Sequence, residues 1–263
     1  MGKTTVSLST HTTPTGSHAR HVHEPDPAPA SWTGSAGGPV PVGSAAVTDA
    51  TEPFLRPTRT SYDAIAKDYA AQFPAGGLHP LDTALISAFA ELATAHGTAP
   101  VADLGSGPGH VTALLDGLGV PSFGVDLSPA MVALARDTYP QLRFHVGSMT
   151  SLDLPDATLS GILALYSTIH VPDAHLPTAF AEFQRTLLPG GHALLAFQTG
   201  EEPGRLHLPE RFGHEIDLDY YWRTPEQVIE GLAEAGLELV AGVRREPTGE
   251  ESRARAFVLV RKA

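Results

Sequence analysis

The chain has no cysteine among its 263 residues, which rules out disulfides, thiolate nucleophiles and cysteine-ligated metals. Positive charge is scarce too: 17 Lys and Arg face 29 Asp and Glu, a formal net charge of −12. Binding to a phosphate backbone needs a basic face, so this balance argues against nucleic acid as the main partner. No apolar run reaches the roughly 18 residues of a membrane-spanning helix, and the first residues lack the apolar core of a secretory signal. A cytoplasmic protein without a membrane partner is expected. Large apolar side chains are nearly missing from Met1 to about Thr58, where Ser, Thr, Pro, Gly and Ala dominate. Such a segment cannot bury enough surface to offset its ordering entropy, so residues 1–58 are expected to be a disordered low-complexity tail. His11, His18, His21 and His23 lie in it at irregular spacing with no carboxylate framework, and no metal site is expected.

Folding patterns begin near Arg59, and residues 59–263 are expected to form one domain. The stretch RTSYDAIAKDYAAQF puts Tyr62, Ile65, Ala66, Tyr69 and Phe73 on one helical face. Pro74, Gly76 and Gly77 end that helix, and a second runs from Pro80 to about His96. Tyr62 and Tyr69 read equally as core aromatics or as a lid over a site built by the next segment.

That segment is Val101 to Ser128, VADLGSGPGHVTALLDGLGVPSFGVDLS. A short apolar strand runs into Gly105, Gly107 and Gly109, with Ser106 and Pro108 between them. Glycine accepts φ > 0 and has no Cβ, so three in five residues let backbone approach a ligand closely. His110 to Leu118 has helical spacing, and the strand Pro121 to Val125 ends at Asp126, about twenty residues beyond the first glycine. A carboxylate there suits a ribose diol, as in nucleotide-binding βαβ units. The dinucleotide fingerprint needs glycine at position 110, which is His110, and no Gly-Lys-Ser/Thr comes after it as in a P-loop. Little positive charge stands by to meet a pyrophosphate. A cofactor without phosphates fits better, and an NAD(P)-dependent oxidoreductase is the rival that His110 disfavours.

The remaining chain alternates helices and strands. Ser128 and Pro129 are cap and first-turn residues for a helix to Thr138, and strands are expected at Leu142–Val146 and Leu159–Leu165. A helix from about Asp173 to Leu187 stops at Pro189, Gly190 and Gly191, before a strand at His192–Gln198. Thr199 to Trp222 shows no clear period and reads as an insertion over the site. A helix from Pro225 to Ala235 precedes two strands, Leu237–Arg244 and Ala254–Val260, whose short polar connection makes them antiparallel.

From about Thr60 onward the chain resembles the class I S-adenosylmethionine-dependent methyltransferases, in particular their small-molecule, type 11/25-like group. The resemblance rests on VADLGSGPG at 101–109, GVDLSPAMVALAR at 124–136, VGSMTSLDLPDATLSGILALYSTIH at 146–170 and LLPGGHALLAFQ at 187–198. It implies an α/β, Rossmann-like, seven-stranded mixed sheet of order 3-2-1-4-5-7-6 with the last strand antiparallel, helices on both faces and an N-terminal helical lid. It also implies S-adenosyl-L-methionine as cofactor and S-adenosyl-L-homocysteine as product. By this likeness Gly105, Gly107 and Gly109 pass beneath the methionine moiety and ribose, and Asp103 anchors the loop or receives the cofactor's amino group. Asp126 accepts the ribose hydroxyls, while Leu127, Met131 and Met149 hold the adenine. Ser148 stands where many relatives have an acid. Leu165 and Tyr166 lie by the sulfonium, and Tyr62 and Tyr69 close over the methionine end.

Methyl transfer asks mainly for alignment and loss of a proton from the acceptor. His170 and His214 are the candidate bases, each alternatively a structural histidine, and a nitrogen acceptor needs no base at all. The run LYSTIH lacks the Asn-Pro-Pro-Tyr grip on a flipped base, which favours a small metabolite. Tyr166, Tyr220, Tyr221 and Trp222 read as an aromatic acceptor pocket or as core, with Tyr166 and Tyr221 the nearest substrate candidates. The expected function is methyl transfer to an O, N or C nucleophile of a small molecule in secondary metabolism. The alternative within the same fold is a cofactor-binding protein without methyl transfer, cyclase-like. Oligomeric state is not legible.

Overall fold

A computed structural model describes residues 52–95 and 97–263. The tail expected over 1–58 lies outside the described residues up to position 51, with its four histidines, as does His96.

Seven strands form the central sheet: β1 (Val101–Leu104), β2 (Ser122–Asp126), β3 (Phe144–Val146), β4 (Leu159–Leu165), β5 (Leu187–Thr199), β8 (Leu237–Arg245) and β9 (Ala254–Lys262). Their order is β3-β2-β1-β4-β5-β9-β8. The first five are mutually parallel, and β9 runs antiparallel to both β5 and β8. This is the expected order, once the two strands of an inserted hairpin are passed over in the count. Parallel strands are covered on both faces and should read as apolar runs; β1 is buried at all four positions and β4 at six of seven.

Helices supply the cover. Ile86 and Phe89 of α2 (Pro80–Thr94) and Leu115 of α3 (His110–Gly117) pack with Val101, Leu163 and Leu194 of the sheet. Gly161 in β4 allows the close approach, since a Cβ there would lie 2.7 Å from the Phe89 ring. A fully buried phenylalanine contributes on the order of 2–3 kcal/mol, so this contact is a large share of what seats α2. In a separate cluster, Val132 and Ala135 of α4 (Pro129–Thr138) pack on Phe144 of β3. Ser128 caps α4 by accepting from the Met131 N–H, and Thr224 forms a capping box with Gln227 at α6 (Pro225–Glu234).

Three expectations need correction. The first helix, α1 (Leu55–Gln72), starts four residues before Arg59. Pro57 falls in its first turn, where the missing N–H costs nothing. Pro189, Gly190 and Gly191 do not separate helix from strand; α5 (Leu176–Thr186) ends sooner and they lie inside β5. Finally, the segment expected to be irregular folds into an antiparallel hairpin, β6 (Gly204–Arg211) and β7 (His214–Trp222). Its two-residue turn, Phe212 and Gly213, has φ of 56° and 81°, the mirror-image turn that suits twisted hairpins.

The hairpin packs on α1. The Asp217 N–H donates to Ser61 Oγ at 3.0 Å. On its other side α1 is tied to the start of α4, because Asp63 Oδ1 accepts from Ser128 Oγ (2.6 Å) and from the Ala130 N–H (3.0 Å). Among the described residues no helix is long and apolar enough to cross a membrane.

Candidate functional site: a cleft at the strand ends

A cleft of about 800 Å³, partly open to solvent, lies at the carboxyl ends of β1, β2 and β4. Ligands of open α/β sheets bind at this end.

Its floor is backbone. Gly105 and Gly107 line the cleft with φ of 76° and 52°. A Cβ on Gly105 would fall 2.3 Å from Ser167 Cβ, so only glycine fits. Gly109, expected beneath the ligand with the other two, does not line the cleft. It turns into α3 at φ 88°, where a Cβ would strike the Phe144 ring at 2.7 Å; its smallness serves packing behind the floor.

Asp126 ties the floor together. Its Oδ2 accepts the Gly107 N–H at 2.7 Å and its Oδ1 accepts the Ser128 N–H at 2.8 Å. Each oxygen keeps a lone pair for a hydroxyl of a bound ligand. Burial pushes this carboxyl up to about 6, against the backbone donors that favour its charged form. Asp103 also lines no part of the cleft. It is buried in the sheet and accepts from Thr112 Oγ1 at 2.7 Å, which supports the loop-anchor role over contact with a cofactor amino group. Burial raises it to about 7.

Leu127, Met131, Ser148, Met149 and Leu165 line the cleft as expected positions. Ser148 brings an acid indirectly. Its Oγ lies 2.6 Å from Thr150 Oγ1, which in turn hydrogen-bonds Glu52. A carboxylate from the chain before α1 thus stands one hydroxyl away from the position where the sequence has none.

The cover comes from α1, from the loop after β4 and from the hairpin. Tyr62 and Tyr69 line the cleft, edge to face at 5.7 Å. The Tyr62 hydroxyl meets His170 Nε2 at 2.7 Å, and His170 Nδ1 meets the Asp219 backbone oxygen of β7 at 2.8 Å. A carbonyl only accepts, so Nδ1 carries the proton and Nε2 accepts from Tyr62. Burial pulls the imidazole down to about 4, which keeps it neutral. Burial also pushes the Tyr69 phenol up to about 12 and raises Tyr62. Tyr166 presents its ring to the cleft from a left-handed backbone (φ 53°) and points its hydroxyl away, at Asp82 Oδ2, 3.3 Å. Asp82 is held in turn by Arg245 at 3.2 Å.

Two candidates fall elsewhere. His214 sits at the hairpin turn, half-exposed, with Nε2 2.9 Å from Asp68 Oδ2 on the outer side of α1. Tyr221 lies between the guanidinium groups of Arg205 (5.9 Å) and Arg223 (5.4 Å) and does not line the cleft. Conversely, Phe54, Thr58 and Ser167 line it without having been singled out. The pair Phe54-Leu55 in an otherwise polar stretch was the available signal for the first two. Ser167 Oγ is buried and has no hydrogen-bond partner among the described residues. An orphaned hydroxyl beside a glycine that cannot carry a Cβ fits a cradle shaped for a polar ligand.

Residues 101–191 match the family described as "Methyltransferase domain". The demethylmenaquinone methyltransferase of Chlorobaculum parvum is 32% identical over 96 residues, 36% of this chain and 39% of that protein. The chain therefore matches about two fifths of that relative's length. Among solved structures, the [4+2]-cyclase SpnF superposes with a TM-score of 0.62 at 18% identity, covering 79% of this chain and 96% of that one. The CcbJ methyltransferase of Streptomyces caelestis does so at 0.58 and 21%, covering 78% and 98%. At those identities the likeness is one of fold. Residues 101–191 are thus similar in sequence to a methyltransferase domain, and the seven-stranded sheet shares its fold with solved methyltransferases.

Proposed function

We propose that the protein is an enzyme that transfers the methyl group of S-adenosyl-L-methionine to a small-molecule nucleophile. The observation that carries this is the floor: a glycine turn with no room for a Cβ at Gly105, closed by a half-buried carboxylate whose oxygens keep lone pairs for a diol. The cofactor supplies an activated methyl group on a sulfonium. Asp126 holds its ribose through charge-assisted hydrogen bonds, worth about 1.5–3 kcal/mol each. The Gly105–Gly107 backbone sets how deep it sits, Met131, Leu127 and Met149 flank the adenine, and Ser167 Oγ offers a donor to its polar end. Tyr62, Tyr69 and Phe54 exclude water from above, which strengthens every polar contact below.

The chain's work at the acceptor is alignment. His170 Nε2 accepts from Tyr62, the Tyr166 hydroxyl turns to Asp82, and His214 faces Asp68, so in this arrangement none of them offers a free lone pair to an acceptor in the cleft. Such a site suits a nucleophile that brings its own lone pair, as a neutral amine does. The acidic charge and the aromatic cover support a small metabolite over nucleic acid. The proposal extends to secondary metabolism through the family resemblance, and biosynthetic genes beside this one are the expected context.

Calorimetric titration tests the reading. S-adenosylhomocysteine should bind in the micromolar range and NAD should not. Binding of NAD with no binding of S-adenosylmethionine or S-adenosylhomocysteine would overturn it. The SpnF likeness favours one second reading, the cofactor-binding fold without methyl transfer. Labelled cofactor incubated with a metabolite extract separates the two, since only a methyltransferase moves label into product.

A further inference from the structure

We propose that His170 is a positioning residue, which locks the Tyr62 hydroxyl and through it joins the lid helix to the hairpin over the cleft. The inference rests on the reading of the cleft as a cofactor site.

Three elements far apart in sequence meet at this imidazole. Tyr62 comes from α1, His170 from the loop after β4, and the Asp219 carbonyl from β7. The ring is edge-on to Tyr62 (5.2 Å) and to Tyr220 (4.6 Å), so aromatic contacts fix its plane while the two hydrogen bonds fix its tilt. The polarity of the chain of bonds is set at its end. Asp219 C=O accepts from Nδ1–H, so Nε2 has only a lone pair and the Tyr62 proton must point at it. Tyr220, next in the cover, is a hydrogen-bond acceptor for Arg211, whose guanidinium stacks on Tyr69 at 5.7 Å. Of the groups around it, Tyr62 and Tyr220 contact the ring, Arg211 disfavours its charged form and Asp219 favours it. With burial holding the ring neutral, none of these drives it to ionise near pH 7.

The junction has two effects on the cleft. Tyr62 has given its proton away, so toward the cleft its oxygen meets a ligand only as an acceptor. A group lying against it must bring hydrogen, as an ammonium, an amine or a polarised methyl group does. And the hairpin is not an independent flap: its β7 carbonyl and the lid tyrosine move together or break two hydrogen bonds.

Glutamine discriminates this role from that of a base, because its amide accepts and donates hydrogen bonds but cannot hold a proton at neutral pH. The experiment compares His170→Ala, His170→Gln and Tyr62→Phe in the full chain. One readout is S-adenosylhomocysteine affinity by calorimetry. The other is amide hydrogen exchange of residues 55–72 and 214–222 without ligand. His170→Ala should weaken binding about tenfold and speed exchange in both segments together. His170→Gln should return both readouts to within about threefold of the parent. Tyr62→Phe should match His170→Ala, and the double variant should be no worse than either. Glutamine failing as badly as alanine, additive losses in the double variant, or unchanged exchange in His170→Ala would each overturn the proposal. If the parent protein itself does not bind S-adenosylhomocysteine, the cofactor reading fails, while the exchange comparison still judges the junction.

Discussion

The Gly107 N–H and the Asp126 carboxylate hold each other across 19 residues of chain, whereas Tyr62 reaches His170 across 108 and Asp217 reaches Ser61 across 156. Floor and cover enclose the same cleft by different means. The floor is one βαβ unit in which backbone groups and a half-buried carboxylate satisfy each other locally. Its shape is decided when β1, α3 and β2 fold. The cover is assembled from three separate segments that are correct only once the rest of the sheet has brought them together. A local device tolerates little change in residue type, and an assembled one distributes its cost over many contacts. The floor should therefore break sharply and the cover should loosen by degrees.

Gly105→Ala is the sharpest test of the floor. The new Cβ meets Ser167 Cβ at 2.3 Å and the backbone keeps φ near 76°, which an L side chain adopts only at a cost. Overpacking costs about 1–3 kcal/mol and the left-handed backbone about 1–2 kcal/mol. We expect a loss of roughly 2–5 kcal/mol in denaturant unfolding, with S-adenosylhomocysteine binding reduced beyond calorimetric detection. Gly109→Ala separates packing from ligand contact. It should cost similar stability against Phe144, yet the folded fraction should still bind, because Gly109 is not in the cleft wall.

The second test uses pH to sharpen the contrast, since the carboxylate behind the floor, Asp103, is buried and the cover's histidine is neutral. Burial raises Asp103 from the ordinary carboxylate range to about 7. The folded state then binds the proton more tightly than the unfolded chain. The associated stability is present below about pH 4 and is lost as pH rises through about 7. Asp103→Asn keeps an oxygen for Thr112 Oγ1 and removes the titration, although its amide N–H adds a constant burial cost. The stability difference between variant and parent should move in the variant's favour by about 2–4 kcal/mol from pH 4 to pH 8. A difference flat across that range would mean that the site is better hydrated than its burial implies. His170 offers no comparable signal above pH 5, because its imidazole is already neutral there.

The same contrast explains what could be read from the residues. Ser128 as a cap and the places of Gly105 and Asp126 at the strand ends were legible because each is announced by residue type within a few positions, whereas the order of the sheet came with the family resemblance. Asp103 and Gly109 belong to the same motif, but whether a motif residue faces ligand or core depends on Phe144 and Thr112, and no local pattern states that. The hairpin was hidden for two reasons. Pro209 interrupts the alternation of β6 at its bulge between Leu208 and Glu210, and a proline inside a run argues against a strand. Phe212 occupies a positive-φ turn position where Asn, Asp or Gly is the usual signal. With the hairpin unread, nothing indicated that His170 would find a carbonyl from β7, or that His214 would stand at a turn.

His214→Ala is the mildest test and the one that most directly separates the two histidines. Both were candidate bases by residue type alone, and their surroundings divide them. His214 pairs with Asp68 across the outer surface of α1, with side-chain exposures of 41% and 53%. Exposed polar contacts of this kind contribute about 0–1 kcal/mol, because water competes for both partners and ordering two side chains costs entropy. Its removal should therefore change unfolding stability by less than about 0.5 kcal/mol, leave S-adenosylhomocysteine affinity within twofold, and leave hydrogen exchange in α1 as it was. A large loss of affinity would mean that the outer His214–Asp68 contact helps hold the lid, and the cover would then depend on its surface as well as on the His170 junction. A large loss of turnover with intact affinity, once an acceptor is in hand, would mean instead that the hairpin turn swings over the cleft during the reaction and carries a base with it.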